Sequence, residues 1–140
     1  MPKRLLPNLP SDVIEVALAD LEFVEADPRY RIDMSTWHEP LSGNHCAVCF
    51  AGAVMAKTLK SPVGSDKHPG NFSGRTAKRL GALDDFRCGE VADGLMNFGV
   101  EWTPELASEW DFRPTPYAVD PEEFKADMRD LAKRLRAKGF

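Results

Sequence analysis

Asn44-His45-Cys46-Ala47-Val48-Cys49-Phe50-Ala51-Gly52-Ala53-Val54-Met55-Ala56-Lys57 is the stretch on which the fold turns. From Cys46 to Ala56 it carries no charge and is apolar on every side, which places it in an interior. It has only about half of the roughly 20 residues needed to cross a bilayer, so a buried central helix is expected and a membrane span is not. Asn44 is the expected N-cap, and Lys57 and Lys60 fall near the negative end of the helix dipole. Ala51, Gly52, Ala53 and Ala56 offer little bulk, so neighbouring elements can approach the backbone closely.

Toward the N-terminus, residues 1–10 contain Pro2, Pro7 and Pro10 and are expected to form an extended arm. Ser11 is the expected N-cap of a first helix whose Ile14, Ala17, Leu18, Leu21 and Val24 recur at helical spacing until Asp27-Pro28. Tyr30, Ile32 and Met34 then alternate with Arg31, Asp33 and Ser35 as in a short half-buried strand, which Trp37-His38-Glu39-Pro40 is expected to end.

Toward the C-terminus, Pro62, Gly64, Pro69, Gly70 and Gly74 mark residues 61–74 as a long surface loop. Helices are expected over Arg75–Phe86, with Ala77, Leu80, Leu83 and Phe86 inward, over Val91–Phe98, and from Thr103-Pro104-Glu105 through Trp110. Residues 112–117 read as extended. Asp120-Pro121-Glu122-Glu123 opens a last helix with Phe124, Met128, Leu131, Ala132 and Leu135 on one face and Gly139 as its stop. The expected fold is therefore mainly α, with an α+β variant carrying one short strand or hairpin left open. It is a compact helical domain around a buried central helix, in which residues 11–140 form a single globular domain.

Composition agrees with that size. The 140 residues, 43% hydrophobic and 29% charged, suit a domain that buries roughly two thirds of its unfolded surface. The formal charge of −4 aids solubility without selecting a partner. Three cysteines, an odd number, argue against a secreted disulfide framework and for a reducing compartment. Met1-Pro2-Lys3-Arg4-Leu5-Leu6-Pro7 lacks the apolar run of a secretory signal, so a cytoplasmic location is expected.

Two chemistries suggest themselves at the cysteines. Cys46 and Cys49, one turn apart on a helix, could both reach one zinc ion, with Cys88 and either His38 or His45 completing a tetrahedron. A second pair of ligands at characteristic spacing is missing, and small buried cysteines are common in cores, so no metal or other cofactor is expected. Alternatively, a thiol in the first turn of a helix is stabilised as a thiolate and becomes a nucleophile if a histidine can take its proton. The downstream histidine, His68, lies in the Pro/Gly loop rather than on a supporting strand, and redox chemistry at Cys46-Ala47-Val48-Cys49 lacks a surrounding parallel sheet. Catalytic residues are accordingly not assigned.

Charge is uneven along the chain. Lys57, Lys60, Lys67, Arg75, Lys78 and Arg79 face one acid, Asp66, with His68, Asn71 and Phe72 between them. Such a run could meet phosphates, making nucleic acid one candidate partner, or could be a solvated face. Gly70-Asn71-Phe72-Ser73-Gly74-Arg75-Thr76 is one residue short of a phosphate loop and has Arg where Lys is required, which excludes nucleotide hydrolysis of that type. The first helix is the opposite, with Asp12, Glu15, Asp20, Glu22, Glu25 and Asp27 and no basic residue. Trp102 and Trp110 suit either the core or an interface.

Trp37-His38-Glu39-Pro40 followed by His45-Cys46-Ala47-Val48-Cys49-Phe50-Ala51-Gly52-Ala53-Val54-Met55-Ala56-Lys57-Thr58-Leu59 resembles a segment of small uncharacterised proteins of tailed bacteriophages. The resemblance covers about a sixth of the chain and brings no activity and no functional residue with it. It implies a setting: the cytoplasm of an infected bacterium, where small phage proteins bind host proteins or block defence systems. The expectation is thus a non-enzymatic accessory protein that binds a host macromolecule. Its contact surfaces would be Lys67, His68, Asn71, Phe72 and Arg75 in the loop, and Asp12, Glu15 and Glu22 on the first helix.

Overall fold

The decisive stretch is divided between a strand and a helix. In the computed structural model, which describes residues 6–101, 103–104 and 111–140, His45–Val48 is a strand and the helix begins only at Phe50. The elements are α1 (Pro10–Glu25), β1 (Tyr30–Ile32), β2 (His38–Leu41), β3 (His45–Val48), α2 (Phe50–Lys57), a 3-10 turn (Pro69–Asn71), α3 (Gly74–Arg87), α4 (Val91–Met96) and α5 (Pro121–Ala137). The fold is α+β, mainly helical, with one three-stranded sheet.

Asn44 is a hairpin residue rather than an N-cap. Gly43 and Asn44 both take left-handed backbone angles, φ 73° and 59°, and these reverse the chain so that Leu41 pairs with His45. Glycine has no Cβ to resist that conformation, and asparagine tolerates it better than most residues. β3 then runs antiparallel to β2 and parallel to β1, in the order β1-β3-β2. Both of its edges are hydrogen-bonded, so its polar backbone can be buried with Cys46, Ala47 and Val48. Trp37-His38-Glu39-Pro40, expected to end a strand, instead leads into the second one.

Cys49 takes over the cap of α2, its Sγ accepting the Gly52 amide at 3.3 Å. The first turn of α2 is pressed onto the start of β2, where the Cys49 amide donates to the Trp37 carbonyl oxygen at 3.1 Å. A Cβ on Gly52 would lie 1.8 Å from that oxygen, so the small residue is needed for the approach. As expected of a helix apolar all round, Phe50 through Met55 are buried.

α2 packs against α1 and α3, and α5 packs along α1. The core joins Ile14, Leu21 and Val24 of α1, Phe50 and Met55 of α2, Leu80, Leu83 and Phe86 of α3, and Phe124, Met128 and Leu135 of α5. Phe50 and Phe124 meet edge to face at 5.4 Å between centroids. α5 follows the sequence closely, with the Asp120 carboxylate accepting the Glu123 amide at 3.1 Å and Gly139 at φ 88° beyond its end.

Other boundaries shift. α1 starts at Pro10 with Leu9 as its cap residue, and Ser11 sends both its amide and its hydroxyl to the Phe140 carbonyl oxygen, each at 3.2 Å. Pro10 therefore belongs to the helix rather than to the arm, and Leu6 is buried. In α3 it is Ala82, not Ala77, that joins the core. The short helix expected through Trp110, with Trp102 and Trp110 themselves, rests on residues outside those described. Among the described residues no helix is long and apolar enough to cross a membrane.

Candidate functional site

The residue that organises the loop side of the molecule is His38. It sits on β2, 1% exposed, with Nδ1 2.8 Å from the Ser65 carbonyl oxygen. Its own carbonyl oxygen accepts the Lys67 amide at 2.9 Å, which adds a bridge between the loop and the outer edge of β2. A carbonyl can only accept, so Nδ1 carries a proton. Cys46 Sγ lies 3.3 Å from Nδ1 and 3.8 Å from Nε2. Similar distances to both nitrogens put the sulfur against the ring rather than on the axis of an N–H bond. The Tyr30 ring closes the cluster at 6.4 Å.

Burial holds this pair uncharged. Desolvation lowers the His38 pKa, with Lys67 adding to the effect and the bond to Ser65 opposing it. Desolvation likewise raises the Cys46 thiol pKa. A thiolate–imidazolium pair is therefore disfavoured, and Cys46, on a strand, also lacks the helix-start field on which nucleophilic activation was to rest.

The one-turn spacing proposed for Cys46 and Cys49 falls with the helix boundary. Cys46 has Glu39 and Asp66 as charged neighbours, whereas Cys49 has Asp84 and Arg87 of α3, and burial pushes the Cys49 thiol up to about 11. Cys88 is exposed just past α3, and His45 is exposed at the hairpin with Nδ1 3.2 Å from the Ser42 carbonyl oxygen. Of the five candidate zinc ligands, a direct contact joins only His38 and Cys46. Among the described residues no group of three or more His, Cys, Asp or Glu side chains is placed to hold a metal.

The loop has a defined shape. His68 Nδ1 accepts the Gly70 amide at 3.2 Å, while the Asn71 side chain accepts the His68 amide at 2.9 Å, a reciprocal cap that closes the 3-10 turn. His68 thus has the tautomer opposite to that of His38, with its proton on Nε2. Phe72 is half-buried against the core, whereas His68, Asn71 and Arg75 are exposed and Lys67 is partly so. A cleft of about 400 Å³ opens beside the turn, lined by Trp37, His38, Glu39, Asp66, Lys67 and His68. Trp37, Ser65 and Asp66 had no local signal in the sequence as part of this surface. They come together through a pairing 27 residues apart.

The acidic face of α1 is neutralised from within. Arg136 meets Asp12 and Glu15, each at 3.0 Å, Arg129 meets Glu22 at 3.0 Å, and Lys125 meets Glu25 at 2.9 Å. Its hydrogen bond from Arg136 holds the Glu15 carboxyl below the usual range. Asp20 is buried and accepts the Thr58 hydroxyl. The basic run behaves otherwise. Lys57 lies over the Phe23 ring at 4.5 Å, and Arg79 is buried over Phe98 at 4.3 Å. Lys60, Lys67, Arg75 and Lys78 form no ion pair among the described residues.

Comparison of the chain with protein-family models, curated proteins and solved structures gave no match.

Proposed function

We propose that the chain is a non-enzymatic binding protein that holds a macromolecular partner on the 61–75 loop and the start of α3. The observation that carries this reading is the contrast in charge pairing. The acids of α1 are met by α5, while Lys60, Lys67, Arg75 and Lys78, on or beside a loop latched through His38, form no ion pair among the described residues. A loop already fixed in shape loses little conformational freedom when it binds. Unpaired cations favour an acidic counterpart and speed encounter with it.

On the resemblance to tailed-phage proteins, the partner is a host protein or protein complex met in the bacterial cytoplasm. The outcome we favour is inhibition of a defence or nucleic-acid-processing assembly. Affinity capture from a bacterial host with the intact chain and with Lys67→Glu/Arg75→Glu tests this. Loss of the captured species with the charge-reversed chain is the expected result, and identical capture by both removes the loop from the proposal.

Direct nucleic-acid binding is the second reading, favoured by Trp37 and His68 lining a cleft beside Lys67, since bases stack on such rings. It requires affinity that falls steeply with salt. No binding to single-stranded or duplex DNA at low ionic strength ends it.

A further inference from the structure

A second cleft, of about 340 Å³, lies at the end of the sheet where β1 begins and the β2–β3 hairpin turns. The pairing explains its lining. Tyr30 is opposite Cys46, and the Cys46 amide donates to the Arg29 carbonyl oxygen at 2.9 Å, so Arg29 stands level with His45. Leu41 is opposite His45 on the other side, and Arg31, two residues beyond Arg29, shares its face of the strand. The side chains of Arg29, Arg31 and His45 therefore converge on one opening, with Pro28, Tyr30 and Leu41 as its apolar part.

Among the described residues no carboxylate lines the cleft. The nearby acid, Asp27, occupies one edge of Arg29, accepting from Nε at 3.1 Å and from Nη2 at 2.7 Å, and Nη1 has no hydrogen bond among the described residues. Arg31 has no ion pair among the described residues. His45 turns Nδ1 toward the Ser42 carbonyl oxygen, which commits that nitrogen as a donor and keeps Nε2 for another partner. Arg29 also lies 5.9 Å from the Tyr30 ring centre, which restrains its guanidinium.

We propose that this cleft binds a small phosphomonoester of mononucleotide size. Its phosphate would sit between Arg31, His45 and the free side of Arg29, and its organic part against Tyr30 and Leu41. A phosphate matches the Arg31 guanidinium, the open side of Arg29 and the Nε2 edge of His45, and guanidinium forks fit phosphate oxygens better than they fit a single charge point. The volume is at the lower end of that of small-molecule sites, which suits a mononucleotide and not a polymer. The site shares no residue with the 61–75 loop, so either proposal can fail while the other stands.

Calorimetric titration of the intact chain at low ionic strength with adenosine 5′-monophosphate, adenosine and inorganic phosphate tests it. The monophosphate is expected to bind saturably at one site and to be displaced by inorganic phosphate, with adenosine at least tenfold weaker. Arg31→Gln and His45→Ala should each weaken the monophosphate at least tenfold while circular dichroism stays unchanged. Asp27→Asn, which releases the second edge of Arg29, should strengthen it. Adenosine binding as well as its monophosphate, affinity unaltered in the Arg31→Gln/His45→Ala chain, or no binding at millimolar ligand overturns the assignment. So does an oligonucleotide that binds where the monophosphate does not.

Discussion

The imidazole of His38 donates to the carbonyl oxygen of Ser65, 2.8 Å away and 27 residues later in the chain, and so ties the Pro/Gly-rich loop to the sheet. The bond is shielded from water on the histidine side, since His38 is 1% exposed. Replacing the ring with the methyl of His38→Ala leaves a cavity and an acceptor without its donor. A loss of about 2–4 kcal/mol is expected in denaturant unfolding, from the lost hydrogen bond and the cavity together. Hydrogen exchange at the Lys67 amide should accelerate as well. An unchanged exchange rate would show that the loop holds its place without His38.

The same residue makes stability depend on pH. Its folded pKa is lowered from the ordinary value of 6.5, so below that value the unfolded chain takes up a proton that the folded chain resists. The stabilisation is present above pH 6.5 and is lost as pH falls toward the folded value. Unfolding midpoints measured from pH 7.5 to 5 should fall more, or rise less, for the intact chain than for His38→Gln, because Asp85, raised to about 6 by burial and by neighbouring carboxylates, acts with the opposite sign in both chains. Equal slopes for the two chains would count against a buried neutral imidazole.

Gly52→Ala is expected to be severely destabilising, by about 3 kcal/mol or more, because the added methyl would overlap a backbone oxygen that cannot rotate aside. The Cβ would stand 1.8 Å from the Trp37 oxygen. Gly64→Ala is not a control, because its φ of 86° brings its own strain. Gly74→Ala is one, with open space around its Cβ, and should fold normally.

Thiol accessibility follows from burial. Desolvation raises all three thiols in pKa, but Cys88 is exposed, whereas Cys46 and Cys49 are buried. Titration with an aromatic disulfide reagent should label one thiol per native chain quickly and all three after denaturation. Rapid native labelling of Cys46 would reopen thiol chemistry beside His38.

Much of the helical frame could be read from the chain because its signals are local. Asp120-Pro121 with the apolar stripe from Phe124 to Leu135 specified α5 almost residue by residue, and the buried apolar face of α1 followed from its spacing. The start of the central helix was misplaced because Asn44 suits both an N-cap and a left-handed turn. Tertiary pairing with β1 and β2 decided between them. The outward role of the α1 acids was equally obscure, since the arginines that meet them lie more than a hundred residues away. For the candidate site, the sequence showed the loop and its cations but not its anchor, because the contacts of His38 with Ser65 and Lys67 have no periodicity to announce them.

The Lys67 bridge to β2 has a further effect, on what the sheet offers to other molecules. A strand at the edge of a sheet presents open backbone donors and acceptors on which another chain can template itself. By taking up the His38 carbonyl, the loop caps part of the β2 margin, while β1, at the other margin, is only three residues long and carries Arg31 at its centre. The strap that presents the proposed binding surface thereby also covers a backbone acceptor at the sheet margin, which a chain with a loosened strap would expose.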